Sequence, residues 1–128
     1  MTEIILDASA ILALLNQEPG ADLVKQHLPH AKISSVNLAE VITRLNLIGM
    51  QDAEIQEVLH LLSLEVVPFD ADQAFQTGIL ASQTRPSGLS LGDRACIALG
   101  ILTNSPVLTA DQAWLQISLP IEVLGIRD

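Results

Sequence analysis

The sequence predicts an α/β domain: a parallel β-sheet flanked by helices on both faces. Three observations carry that prediction. Short apolar runs alternate with longer stretches of helical period, and the joints between them are short. Aromatic residues are almost absent (Phe69, Phe75 and Trp114 only), so the core must be built from Leu, Ile, Val and Ala, the usual filling around a buried parallel sheet.

Residues 3–6 (EIIL) read as a buried strand, and 8–16 as a helix following it directly. Pro19-Gly20 punctuates, and 21–28 reads as a second helix stopped by Pro29. Residues 31–34 (AKIS) suggest a short strand. Two helices follow, over 36–48 and 52–63, separated at Gly49-Met50, with Asp52 expected as the second one's N-cap. Residues 64–68 read as a strand, and 70–84 as a helix opened by Asp70, with Gln73 three residues on in a capping-box pattern. A turn-rich loop, 85–89, precedes a helix over 91–103 that starts at Ser90 and ends at Asn104-Ser105-Pro106. A strand over 106–109, a short helix around 111–117 and a last strand around 121–124 complete the order. With no repeat, low-complexity run or linker visible, residues 1–128 are expected to form one domain.

Fifteen acids stand against six bases, a net charge of −9, which excludes a broad basic surface for nucleic acid. Cys96 is the single cysteine, so neither an intrachain disulfide nor a thiolate zinc site is expected. The start lacks a basic region followed by a long apolar segment, and no apolar stretch approaches membrane-spanning length. A soluble, cytoplasmic protein without membrane association is the expectation.

The acids themselves carry the functional signal. In open α/β sheets the functional crevice lies beyond the carboxyl ends of the strands. Asp7 stands just after the first strand and Asp111 just after the strand at 106–109. If both strands lie near the sheet centre, these acids share one crevice. Asp93, in the first turn of the helix leading to the second of these strands, can reach it, and Glu40 could complete a four-carboxylate pocket. Such a cluster repels itself unless neutralised, and hard divalent cations with oxygen ligands are its natural partners. The chemistry that follows is phosphodiester hydrolysis.

Each acid also has a local reading. Asp7 can cap the helix at 8–16, Asp93 completes a capping box with Ser90, and Asp111 can cap the short helix after it. Glu40 precedes Arg44 by four residues, the favourable order for a surface ion pair, on a helix whose apolar stripe runs through Leu38, Val41, Ile42 and Leu45.

Taken together, ILDASAILALLNQEPG, SSVNLAEVITRL, SLGDRACIALG and VLTAD resemble the PIN-domain family, and within it the VapC-type toxins. The resemblance spans nearly the whole chain, and SLGDRACIALG is its most specific stretch. It implies a parallel sheet flanked by helices, an acidic site binding Mg²⁺ or Mn²⁺, and endoribonuclease activity. It also implies a homodimer, and inhibition by a small VapB-like antitoxin docked beside the site. Asp7, Glu40 and Asp93 match the family's three core acids, and Asp111 the fourth, more variable one. Ser9 and Thr109 match hydroxyls that support ligands or a phosphate.

An RNA substrate would then rest on metal ions and a few bases such as Arg44, Arg85 and Arg94, although Arg94 reads more readily as the partner of a surface acid. The scarcity of aromatics excludes base-stacking platforms, leaving RNA shape or single-stranded access. His27, His30 and His60 do not make a zinc or His-based catalytic layout, and are read as solvated. Cys96 reads as buried, Ser34-Ser35 as a cap, and Trp114 as packing against a helix. The helices between Val36 and Leu64 carry more apolar residues than one face of a small sheet needs.

Two other classes compete. An aspartyl phosphatase or receiver domain would also place an Asp after a strand, but Asp7-Ala8-Ser9 lacks a second acid, and no lysine follows a late strand. A PIN fold serving as a protein-binding module, without significant nuclease activity, is the non-enzymatic alternative.

Overall fold

The computed structural model describes residues 3–127. Five parallel strands form one sheet in the order β3-β2-β1-β4-β5. They are β1 (Ile4–Leu6), β2 (Ala31–Ser34), β3 (Glu65–Val67), β4 (Val107–Thr109) and β5 (Val123–Gly125). The helices are α1 (Ala8–Leu15), α2 (Ala21–His27), α3 (Ser35–Leu47), α4 (Asp52–Leu62), α5 (Ala71–Ile79), α6 (Ala81–Thr84) and α7 (Leu91–Thr103). The α/β class and every expected strand are present. Three-residue strands suffice because β1 and β4 are buried at every position.

Successive residues of β1 serve opposite faces, as a strand requires. Ile4 and Leu6 join Ile11, Val24, Ile33, Val41 and Leu45 on one side, where α1 to α4 contribute. Ile5 joins Val107, Cys96, Ile97, Leu99 and Trp114 on the other, beneath α7. The chain builds outward from β1 to β2 and β3, then crosses to β4 and β5. The order therefore reverses between β1 and β4, which makes their carboxyl ends the switch point where such sheets open a crevice.

Local chemistry sets most helix starts. The Ser34 hydroxyl accepts from Val36 N–H at 3.2 Å, Asp70 Oδ1 from Gln73 N–H at 2.9 Å, and Ser90 Oγ from Asp93 N–H at 3.2 Å. Three expectations need correction. Gln51, not Asp52, is the N-cap of α4, its N–H donating to Glu54 Oε1 at 2.9 Å. The helix expected over 70–84 is two helices joined at buried Leu80, and Gln73 turns its amide to Pro68 O rather than back to Asp70. The segment after β4 is a 3₁₀ turn over Gln112–Gln116 that carries Trp114 into the core. A 3₁₀ turn over Leu28–His30 likewise takes up Pro29 at the end of α2.

Candidate active site

At the switch point, Asp7 follows β1 directly with 3% exposure. It occupies the N-cap position of α1, yet its side chain makes no capping bond. Its Oδ2 instead accepts from the Ser9 hydroxyl at 2.6 Å and from the Thr109 hydroxyl at 3.1 Å. Each hydroxyl is oriented by a backbone donor. Ala110 N–H points at Ser9 Oγ (2.9 Å) and Asp111 N–H at Thr109 Oγ1 (3.0 Å). Two relays thus run from the chain after β4 into one carboxylate.

Glu40 on α3 and Asp93 on α7 line the same cleft of about 650 Å³ as Asp7 and Ser9. Glu40 does not pair with Arg44. Among the described residues the ion pairs are Lys32 with Glu3 and Glu65, and Arg127 with Glu18. Instead Glu40 Oε1 accepts from the Asn37 amide at 2.8 Å, and that amide also donates to Gly92 O at 2.9 Å. Gly92 is needed for close approach: a methyl group there would lie 2.5 Å from Glu40 Cδ and 2.6 Å from Oε1. Asp93 completes the capping box expected of it, Oδ2 accepting from Ser90 N–H at 2.9 Å. Arg44 lines the cleft with no ion-pair partner among the described residues, and Leu12 and Leu47 supply apolar wall.

Each of the three clustered carboxylates therefore spends one oxygen on a bond within the protein. Among the described residues, Asp7 Oδ1, Glu40 Oε2 and Asp93 Oδ1 carry none. Burial pushes the Asp7 carboxyl up to about 6; the charges of Asp93 and Glu40 push the same way, against the two hydroxyl bonds. The Cys96 thiol, wholly buried below the cleft, is held well above its ordinary value by burial first and by the same three acids second.

Asp111 stands apart. It is exposed, does not line the cleft, and turns Oδ1 to Ala113 N–H at 2.9 Å as cap of the 3₁₀ turn. Its link to the site is through its N–H and Thr109. As the side chains stand, no group of three His, Cys, Asp or Glu among the described residues is arranged to hold a metal ion. The donor set nevertheless fits a hard cation: all oxygen, with a free oxygen on each acid and a carboxyl that burial first, and the charges of Asp93 and Glu40 second, make costly to ionise. Mg²⁺ and Mn²⁺ suit such donors, and Mg²⁺ keeps several waters of its own.

Asn37 and Gly92 were not among the residues singled out in the sequence. A signal for Asn37 exists, because it falls four residues before Val41 and eight before Leu45, as a polar residue on the buried stripe of α3. Arg94 corrects the other expectation. It pairs with no acid among the described residues, and donates through Nη1 to Thr77 O at 2.9 Å.

A family model described as the PIN domain matches residues 4–119. Ribonuclease VapC42 of Mycobacterium tuberculosis is 29% identical over 117 residues, covering 81% of this chain and 87% of that protein. Among solved structures, DNA-bound VapBC from Salmonella typhimurium aligns with a TM-score of 0.76 at 20% identity, covering 98% of this chain and 99% of that one. VapBC2 from Rickettsia felis, bound to a promoter DNA fragment, aligns at 0.74 and 20% identity over 95% and 98% of the two chains. At such identities these structures bear on the fold.

Proposed function

The chain belongs to the PIN-domain family, and from that premise we propose that it is a divalent-metal-dependent endoribonuclease, the toxin half of a VapBC-type toxin–antitoxin pair. One observation carries the reading. Three carboxylates from three separate elements line one cleft at the sheet's switch point, each with an oxygen free of protein hydrogen bonds. The naming of the M. tuberculosis relative as a ribonuclease supports the reaction class.

Asp7, Glu40 and Asp93 would hold Mg²⁺ or Mn²⁺, while Asp111 would act on the site only through its N–H, which donates to Thr109 Oγ1. A bound ion supplies Lewis-acid charge at the phosphoryl group and lowers the pKa of water. Ser9 and Thr109 would hold the Asp7 carboxylate through Oδ2 and leave Oδ1 free for a cation. Arg44 offers guanidinium donors to a phosphate oxygen, which a carboxylate-lined cleft otherwise repels. Water attacks the phosphorus in line, the bond to the 3′-oxygen breaks, and that oxygen takes up a proton. The products carry 5′-phosphate and 3′-hydroxyl ends.

Backbone contacts to RNA extend to a second cleft of about 520 Å³, where Arg85 and Arg94 meet beside Ser82 and Gly88. Neither arginine has a carboxylate partner among the described residues, in a chain of net charge −9. The likeness to VapBC from S. typhimurium and VapBC2 from R. felis supports a VapB-like antitoxin as partner. Leu47 and Ile48 on and after α3 and Leu61 on α4 are 76%, 64% and 75% exposed, apolar surface suited to such a partner or to a homodimer. No helix among the described residues is long and apolar enough to cross a membrane.

The test is cleavage of a mixed RNA pool, including tRNA and rRNA, with Mg²⁺, Mn²⁺ or EDTA, beside Asp93→Asn. Cutting that needs both metal and Asp93 is expected. Products ending in 2′,3′-cyclic phosphate overturn the mechanism. Intact RNA with folded protein favours the second reading, a PIN-fold binding module, for which the exposed apolar side chains are the supporting observation.

A further inference from the structure

Asn37 is fully buried, and packing does not account for it. It faces inward on α3 in line with Val41 and Leu45, where a leucine would fill the space without burying an amide. Its Oδ1 finds no hydrogen-bond partner among the described residues, so the fold tolerates an unsatisfied acceptor to keep its nitrogen in place. The direction of the amide follows from what it faces. Glu40 Oε1 at 2.8 Å and Gly92 O at 2.9 Å are both acceptors, so the Nδ2 hydrogens must be turned to them.

Glu40 has good reason to be elsewhere. Asp7 and Asp93 repel it, and Arg44 one turn along the same helix would attract it outward. It stays against the first turn of α7, filling the space that a side chain on Gly92 would occupy. The two residues act from opposite sides: the amide holds the carboxylate, and the missing Cβ makes room for it.

We propose that Asn37 is a positioning residue that, bridging Glu40 and Gly92, keeps the Glu40 carboxylate in the cleft beside Asp93 for a divalent cation. It acts through Glu40 and touches no substrate. The proposal rests on the reading of the cleft as a cation site.

The experiment is Mn²⁺ binding to the metal-free full chain by calorimetry, with Asn37→Leu, Glu40→Gln and the double variant beside the wild type. Asn37→Leu is expected to fold with an unchanged or higher Tm and to bind Mn²⁺ about 10- to 100-fold more weakly, the usual cost of losing a partner that orients a ligand. In the Glu40→Gln background the same change should cost nothing further, because the route runs through Glu40. Binding by Asn37→Leu within twofold of wild type, or losses that add in the double variant, overturns the proposal. Should Asn37→Leu fail to fold, Asn37→Ala takes its place, and a loss of affinity absent from the Glu40→Gln background is again expected. Wild-type protein that binds no Mn²⁺ overturns the cation reading instead. Crystals of Asn37→Leu then decide the positioning role by themselves: Glu40 turned away from Gly92 supports it, and Glu40 unmoved overturns it.

Discussion

Thr109 donates its hydroxyl to Asp7 Oδ2 across 3.1 Å, joining the carboxyl ends of two neighbouring strands whose residues lie 102 apart in the sequence. The bond is buried, and the same hydroxyl accepts from Asp111 N–H. Strand pairing and the state of the acidic cleft are therefore coupled through one oxygen.

Thr109→Val keeps the shape and removes the hydroxyl. Leaving Asp7 and Asp111 N–H each short of a partner should cost about 1–3 kcal/mol in urea unfolding. Because the Thr109 bond lowers the Asp7 pKa, its loss should move that value above about 6. A carboxyl ¹³C titration checks this, and an unmoved or lower value would contradict the assignment.

Asp7→Asn should stabilise the metal-free protein while abolishing cleavage. Folding raises the Asp7 pKa from 3.8 to about 6, so the folded state holds this proton more tightly than the unfolded chain. Stability from this group is complete below the unfolded value and is lost as pH rises through the folded one. At pH 7.5 the loss is on the order of 3 kcal/mol. The difference in Tm between Asp7→Asn and wild type should thus grow between pH 4 and pH 6 and level off above. A difference independent of pH would refute the linkage.

Protons and cations compete for the same oxygens. Mn²⁺ affinity should hold steady above about pH 7 and fall as pH drops below about 6, toward tenfold per unit. Saturating Mn²⁺ should raise the Tm of the wild type, by about 2.7 kcal/mol of stability at a hundred times Kd, and leave Asp7→Asn nearly unmoved.

Arg94→Gln should raise KM severalfold with kcat little changed, since its guanidinium is anchored on Thr77 O away from the acids. Adding Arg85→Gln should flatten the dependence of RNA binding on salt, by about one unit of slope per lost phosphate contact. Steady-state cleavage kinetics checks the first, and filter binding across a salt series the second. An unchanged slope removes the second cleft from the RNA path.

Leu61→Glu places a charge on the exposed apolar side of α4. If that side joins two copies, light scattering should report a lower mass at the same concentration. The wild type remaining monomeric throughout would exclude this face as a subunit interface.

Much of the fold was legible because the signals were local. Ser90 and Asp93 carry the start of α7 in four residues, and the expected span of 91–103 matches Leu91–Thr103. Asp7 was legible as the residue after an apolar run, although only the fold distinguishes a cap from a cleft acid, by leaving the side chain unused as a cap. The break at Leu80 was not legible, because the one glycine near it, Gly78, lies inside α5 and no proline intervenes; Leu80 is buried there and the Thr84 hydroxyl donates back to Leu80 O at 2.8 Å. Asn37 was obscured for a different reason. Its partner Gly92 lies 55 residues away, and only the crossing of α3 and α7 brings them together.

The same sequence distance has a consequence during biosynthesis. β1 is made first, but the Asp7 carboxylate receives its second hydroxyl only from β4, and the helix bearing Asp93 is made just before that strand. A nascent chain halted before Thr109 has no completed cleft. The hydrogen bonding around Asp7 is therefore complete only once nearly all of the residues matched to the PIN domain, 4–119, have been made.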